Sequence, residues 1–288
     1  MNEDLICILG PTASGKTRYA VAMALQTGGE IISADSRQVY RGMDIGTGKD
    51  LSEYERDGVK VPYHLIDIVE PGTKYNIFQY QKDFHKAYTD IVSRGIKPIL
   101  CGGSGLYIES VTMGYSLAEV QPNPELRERL ENLSLEELAE MLKKYKKLHN
   151  TTDTDSKKRV IRALEIAIFD SENPAHRQEF PPLKTRFIGI DVSREERISR
   201  IDKRLDERLN GGMVEEIKAL IDSGIKPDDL IYYGLEYKFV TLYILGNLSF
   251  QEMRSQLATA IHQFAKRQMT WFRGMERRGI NIEWLRLG

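Results

Sequence analysis

The segment Gly10-Pro11-Thr12-Ala13-Ser14-Gly15-Lys16-Thr17 constrains this chain more than any other, because it fits G-x-x-x-x-G-K-[ST] at every position. Its flanks supply the setting that such a loop needs. Leu5–Leu9 is a short apolar run suited to a buried parallel strand, and Lys16–Gln26 carries Ala20, Val21, Ala24 and Leu25 at helical spacing. A turn between a strand and a helix points successive backbone N–H groups inward, and the helix start adds the positive end of its dipole. Residues Gly10 to Thr17 are therefore expected to hold a diphosphate or triphosphate. Lys16 brings a full charge to the terminal phosphate, and the Thr17 hydroxyl suits a Mg²⁺ ion. A chance match in a glycine-rich turn is the bland alternative, and the correct flanks on both sides count against it. Phosphate binding follows from the loop; ATP hydrolysis does not.

The rest of the first 110 residues alternates strand and helix. Glu30–Ala34 reads as a second strand stopped by Asp35 and Ser36, and Leu65–Val69 as a third stopped by Pro71 and Gly72. A helix over about Phe78–Ser93 leads to a fourth strand, Pro98–Cys101, which runs into Gly102-Gly103-Ser104-Gly105. That order predicts an α/β fold, a P-loop NTPase-like parallel sheet flanked by helices. Between about residues 111 and 181 strands give way to charged helices. One opens at Asn123-Pro124, one spans Ser134–Lys147 with a capping-box Glu137, and one spans Asp155–Phe169. Pro122 and Pro181-Pro182 fence this stretch, so a helical insertion (111–181) in a core made of 1–110 and 182–288 is expected. Strand character returns at Phe187–Val192. Helices follow at about Arg194–Leu209, Val214–Ser223 and Phe250–Arg273, then a closing strand at Ile282–Leu285.

Composition narrows the class. With 288 residues, 41% hydrophobic and 29% charged, the chain has the make-up of a globular protein with a sizeable core. Its start, MNEDLICILG, has acids where a secretory signal carries bases, and no stretch approaches a membrane span; a cytoplasmic location is expected. Cys7 and Cys101 lie in apolar runs without metal-ligand spacing, which favours buried free thiols over a disulfide or a metal site. The formal net charge is −1, so no global field announces nucleic acid. Lysine and arginine nevertheless cluster at Lys143, Lys144, Lys146, Lys147, Lys157, Lys158, Arg159 and Arg162 against Asp153 and Asp155. A second cluster comprises Lys266, Arg267, Arg273, Arg277 and Arg278. Taken alone, each is more often a solvated helix face than an RNA site.

Longer motifs then point to a family. Ser33-Ala34-Asp35-Ser36-Arg37-Gln38-Val39-Tyr40-Arg41-Gly42-Met43-Asp44-Ile45-Gly46-Thr47-Gly48-Lys49 resembles the signature of tRNA dimethylallyltransferases. So do Pro62-Tyr63-His64-Leu65-Ile66-Asp67, Gly102-Gly103-Ser104-Gly105-Leu106-Tyr107, Arg159-Val160-Ile161-Arg162-Ala163-Leu164-Glu165, and the block from Gln263 to Arg273. Together with the phosphate loop they span residues 10 to 273 in the family's order. The resemblance implies prenyl transfer from dimethylallyl diphosphate to the exocyclic N6 amine of the adenine next to the anticodon, with Mg²⁺ as cofactor and a monomer as the working unit.

The same resemblance assigns roles. Asp35 matches the family's base; an aromatic amine is a poor nucleophile, so a carboxylate within reach should take its proton. Taken alone, Asp35 has the lesser alternative of a Mg²⁺ ligand or a cap for the next turn. Lys16, Thr17 and Arg204 match groups that act on the departing diphosphate, and a guanidinium fork suits phosphate oxygens. Arg204 could instead pair with Asp206 or Glu207 on an exposed helix, and Arg208 is its nearest rival in register. Contacts to the tRNA anticodon stem-loop are implied at Asp35, Ser36, Arg37, Gln38, Ser104, Arg127, Lys158, Arg159, Val160, Ile161 and Arg162. Ser104 also fits a plain strand-to-helix turn, and Arg127 a surface helix. The family's Gly-Tyr-Lys-Glu block is not matched by Tyr232-Tyr233-Gly234-Leu235-Glu236-Tyr237-Lys238, so no tRNA contact is carried over there.

Two rival readings remain at this point. Related isopentenyltransferases act on free adenine nucleotides and make cytokinins, but they would not need a basic helical insertion. A P-loop kinase or NTPase would give the Asp35–Lys49 block no role.

Overall fold

In a computed structural model, residues 3–145, 154–173 and 179–286 are described; Lys146, Lys147 and Asp153 of the first basic cluster lie outside them. The chain divides into two compact units, one of Met1–Met113 with Pro182–Gly288 and one of Gly114–Pro181.

The first unit is built on a six-stranded sheet in the order β5-β2-β6-β1-β7-β8. The strands are β1 (Leu5–Leu9), β2 (Glu30–Ala34), β5 (Tyr63–His64), β6 (Pro98–Gly102), β7 (Thr185–Asp191) and β8 (Ile282–Arg286), and every pairing among them is parallel. The short hairpin β3 (Glu55–Arg56) and β4 (Val59–Lys60) stands apart from it. β1, β2 and β6 are buried along their whole length. Central parallel strands are covered on both faces, which explains their unbroken apolar runs. One face packs Ile6, Ile8, Ile31 and Ile99 against Ala20, Val21 and Ala24 of α1 (Lys16–Thr27). The other packs Leu5, Leu9, Ile32 and Leu100 with α2 (Ile77–Ser93), α3 (Gly105–Thr112), α7 (Arg194–Asn210), α8 (Met213–Asp222) and the 28-residue α11 (Phe250–Arg277). α2 and α11 both begin with reciprocal capping boxes, Asn76 with Gln79 and Ser249 with Glu252.

The expected strand over Leu65–Val69 does not form. Leu65 and Asp67 adopt left-handed φ of 62° and 55°, which turns the chain, and pairing with β2 is confined to Tyr63 and His64. The segment bonds to its own loop instead: Ile68 and Val69 N–H both donate to the Val39 carbonyl, at 2.8 and 3.0 Å. The sequence reading also passed over α9 (Pro227–Tyr232) and α10 (Leu235–Ile244), which bury Leu230, Tyr237 and Val240 in the core.

At the N-terminal edge of the sheet, Glu30 takes both guanidinium nitrogens of Arg94, at 2.5 and 2.7 Å, and His64 Nε2 at 2.7 Å. The Arg94 hydrogen bonds outweigh burial and hold the Glu30 carboxyl at about 2, well below an ordinary glutamate. A depressed carboxyl stabilises the fold above its unfolded value, and that contribution is lost as pH falls through the folded value. Arg94 is 39% exposed, so water screens the pair, and Glu30→Gln is expected to cost about 1–2 kcal/mol at pH 7. Denaturation of the two proteins between about pH 7 and pH 2 checks this: their stabilities should converge between pH 4.5 and about 2.

The second unit contains α4 (Pro124–Glu131), α5 (Leu135–Tyr145) and α6 (Lys157–Glu172), all helical as the sequence implied. Leu130, Leu138, Leu142, Val160, Ile161 and Leu164 form its own small core. Ser134 and Glu137 cap α5 reciprocally, at 2.7 and 3.2 Å.

Candidate active site at the C-terminal edge of the sheet

Because the strands are parallel, their C-terminal ends share one edge, the usual place for ligands in such sheets. β1 ends there in the glycine-rich loop, β2 in Asp35 and β6 in Gly102-Gly103-Ser104. The loop and Asp35 line a single cleft of about 430 Å³, together with Gln38, Glu53, Tyr54, Cys101, Arg200 and Arg204.

The loop is shaped by backbone that only certain residues tolerate. Ala13 and Gly15 sit at φ 61° and 87°, and Gly15 caps α1 without a side-chain hydrogen bond, leaving the first N–H groups of the helix to the cleft. Gly10 is demanded by proximity: a Cβ there would lie 2.7 Å from the Ile190 carbonyl. Lys16 folds back to donate to Pro11 O at 3.4 Å. Burial lowers the Lys16 pKa and the neighbouring Arg204 lowers it further, while Cys101 and Asp35 act the other way. Thr12 is held from two sides. Its N–H donates to Gln268 Oε1 at 2.9 Å, and its hydroxyl accepts from Arg204 Nη2.

Arg204 is thus directed at the loop rather than at its helical neighbours. Asp206 pairs with Arg254 at 2.7 Å, and Glu207 lies 3.8 Å from Lys203. Arg208, one turn further, reaches Asp50 at 3.2 Å, so the two arginines serve different parts of the cleft wall. Burial, with Arg208 adding repulsion, pulls Arg204 down to about 10, so it remains charged at neutral pH.

Asp35 lies partly exposed in the cleft, and its Oδ1 accepts from Arg37 N–H at 2.9 Å. Ser36 N–H donates to Ser104 Oγ at 3.3 Å, which brings two of the expected tRNA-contact positions together. Gln38 Nε2 donates to Gly48 O at 3.1 Å. The Asp44–Lys49 loop behind them is fixed by two anchors. Glu216 accepts from the N–H groups of Asp44, Ile45 and Gly46 and from the Tyr237 hydroxyl, at 2.7–3.1 Å. Lys49, fully covered, donates to Tyr40 O and Asp44 at 2.7 Å each and to Asp67. The long motif is therefore partly a scaffold that sets the cleft wall.

In the helical unit, Arg127 and Arg162 both grip Glu165, whose side chain is 1% exposed, at 2.7 and 3.1 Å. Burial raises the Glu165 pKa, but Arg127, the Asn123 N–H and Arg162 outweigh it and hold the carboxyl below its ordinary value. Each arginine side chain keeps about 40% exposure. Lys158 and Arg159 are exposed, the latter paired with Asp155 at 2.9 Å. Val160 and Ile161 are buried in the core of the unit, so their side chains present no surface to a ligand.

Sequence reasoning passed over Arg200, Glu53, Tyr54 and Gln268 as contributors to this region. Arg200 was legible, since Arg200, Arg204 and Arg208 share one face of α7 at i, i+4 spacing. Gln268 also left a trace: it interrupts the apolar stripe of Leu257, Ile261, Ala265, Met269 and Phe272, and a polar residue on a buried face needs a partner. Glu53 and Tyr54 left none. Burial, then Asp50, raises the Glu53 carboxyl above its ordinary value. Cys7 and Cys101 are buried and free, and burial drives the Cys101 thiol to about 12.

Comparison with known proteins gives a consistent result. A family model described as IPP transferase matches residues 38–275, and one described as isopentenyl transferase matches residues 3–61. The chain is 60% identical over 281 residues to tRNA dimethylallyltransferase 1 of Porphyromonas gingivalis, covering 98% of this chain and 93% of that protein. It is 59% identical to tRNA dimethylallyltransferase 2 of Bacteroides fragilis, with 98% and 92% covered. The crystal structure of the full-length tRNA isopentenylpyrophosphate transferase of Bacillus halodurans superposes with a TM-score of 0.72 at 34% identity, covering 99% and 90% of the two chains.

Proposed function

Since the chain belongs to the IPP transferase family, we propose that it transfers a dimethylallyl group from dimethylallyl diphosphate to the N6 amine of the adenine beside the tRNA anticodon. The observation that carries this is one cleft holding both a phosphate loop and a carboxylate, Asp35, within the same parallel sheet edge.

The chemistry divides between those two parts. The N6 lone pair forms a bond to the allylic C1, and the C1–O bond breaks, with its electron pair leaving on the diphosphate. Asp35 accepts the proton that N6 loses. The N–H groups of the loop, Lys16 and Arg204 stabilise the charge that grows on the leaving oxygens. Thr17 lines the cleft beside Lys16, and its hydroxyl together with diphosphate oxygens suits Mg²⁺, which would neutralise leaving-group charge. Removing the adenine from its stack is part of the reaction, as for enzymes that act on bases generally.

The cations at the start of α6, exposed at Lys158 and Arg159 and half-buried at Lys157, suit phosphate contacts along the tRNA backbone. Replacing Lys157, Lys158 and Arg159 by Gln is expected to weaken tRNA binding and to flatten its salt dependence, by about one log–log unit for each phosphate no longer neutralised. Single-turnover rates at saturating tRNA should stay near the parent value; filter binding across a salt series separates the two effects. The working unit of this scheme is a cytoplasmic monomer. Among the described residues no helix is long and apolar enough to cross a membrane.

The direct test is mass spectrometry of nucleosides from unmodified tRNA incubated with the protein, Mg²⁺ and dimethylallyl diphosphate. Isopentenyladenosine is the expected product. Prenylation of free AMP with no change in tRNA would replace this acceptor with the nucleotide.

A further inference from the structure

Gln268 connects the two halves of the cleft from behind. It sits in the second half of α11, 8% exposed, with its amide turned towards the C-terminal edge of the sheet. Oε1 accepts from Thr12 N–H at 2.9 Å, in the phosphate loop, and Nε2 donates to Gly103 O at 3.0 Å, in the turn after β6. The amide orientation is fixed by its partners, since an N–H requires an acceptor and a carbonyl a donor. Gly103 itself leaves the room, because a Cβ there would lie 2.4 Å from Nε2.

Both ends of this bridge lead to reacting groups. On the donor side, Thr12 is the residue whose hydroxyl receives Arg204. On the acceptor side, Ser104 follows Gly103; its N–H donates to Ala34 O at 3.2 Å, and its hydroxyl accepts from Ser36 N–H at 3.3 Å. Asp35 lies between those two contacts. One buried amide therefore ties the diphosphate loop to the turn after β6, and Ser104 of that turn holds the residues on either side of Asp35. A purely apolar pin between helix and sheet would need no amide, and would leave the Thr12 N–H and the Gly103 carbonyl without these partners.

We propose that Gln268 is a positioning residue for prenyl transfer, holding the phosphate loop and the Asp35 turn in the register that aligns the allylic carbon with the base. It touches neither substrate; it acts through Thr12 and Gly103. The proposal rests on the prenyl-transfer reading above, and the parent protein in the same assay separates the two. If the parent gives no isopentenyladenosine, that reading fails; if the parent is active, Gln268 is judged alone.

The test uses Gln268→Met, which keeps the length and removes both hydrogen bonds, and Gln268→Glu. An ångström of misplacement between reacting groups costs about 100-fold, so Gln268→Met is expected to lower kcat by roughly that factor. Its affinity for inorganic pyrophosphate should fall several-fold, and its Kd for tRNA should stay within about two-fold. Gln268→Glu supplies a readout that a structural pin would not move. Its protonated carboxyl accepts from Thr12 N–H and donates to Gly103 O, whereas the ionised form has no proton to donate and sets two acceptor oxygens against each other. Its activity relative to the parent should therefore rise at least about ten-fold as pH drops from about 9 to about 6. Equal kcat for Gln268→Met and the parent, within about two-fold, would overturn the proposal whatever happens to Tm. Where Gln268→Met does not fold, a flat ratio for Gln268→Glu across that pH range overturns it instead.

Discussion

Asp35→Asn is expected to slow prenyl transfer about 1,000-fold while tRNA binding stays nearly unchanged, the magnitude being that of removing a positioned general base. Asparagine is the informative replacement because Asp35 Oδ1 accepts the Arg37 N–H at 2.9 Å, and an amide oxygen can do the same. The turn through Ser36 to Gln38 keeps its shape, so the only group removed is the one that can take a proton. Alanine would remove the base and the turn hydrogen bond together and confuse the two. Single-turnover rates at saturating tRNA, paired with tRNA binding by filter assay, measure the effect. An Asn variant within about five-fold of the parent would mean that the proton leaves by another route, and that Asp35 serves as a turn cap.

Lys16→Ala should reduce kcat by about 100- to 1,000-fold, the range found when one preorganised charge or donor to a developing anion is removed. The parent protein should also show an alkaline limit with a definite cause. Burial lowers Lys16 from the ordinary lysine value of 10.5, with Arg204 adding to it against the opposing Cys101 and Asp35. The charged amine is the active form, so kcat/KM for dimethylallyl diphosphate should fall as pH rises through that lowered value. The profile of kcat/KM reports the free protein; in kcat the bound diphosphate stabilises the cation, and the limb should lie at higher pH. Lys16→Arg should displace the limb upward, since a guanidinium holds its proton to higher pH than an amine in the same place. A parent profile whose alkaline limb survives unchanged in Lys16→Ala would assign it to another group.

Much of this protein was written locally. The phosphate loop, the strand and helix that flank it, the capped helices of the insertion and the position of Asp35 at the end of β2 were all legible in the chain. Each depends on residues within a few positions of one another: glycines that permit a turn, apolar runs that must be buried on both faces, a serine three residues before a glutamate. The family motifs added roles to those positions, and the match across residues 38–275 is to the same family.

What the sequence by itself could not determine was which distant groups meet. Only the tertiary structure sends Arg204 to Thr12 and Arg208 to Asp50, although both sit on one face of α7. Only it buries Lys49 among Tyr40, Asp44 and Asp67, turns Leu65–Asp67 out of the sheet, and commits Arg127 to Glu165. The bridge through Gln268 joins residues 256 and 165 positions apart along the chain. Local pattern fixes where a backbone turns and which face is apolar. The pairing of polar groups is decided by packing, because a buried donor takes whichever acceptor the fold brings within about 3 Å, and that neighbour leaves no mark on the residues beside it.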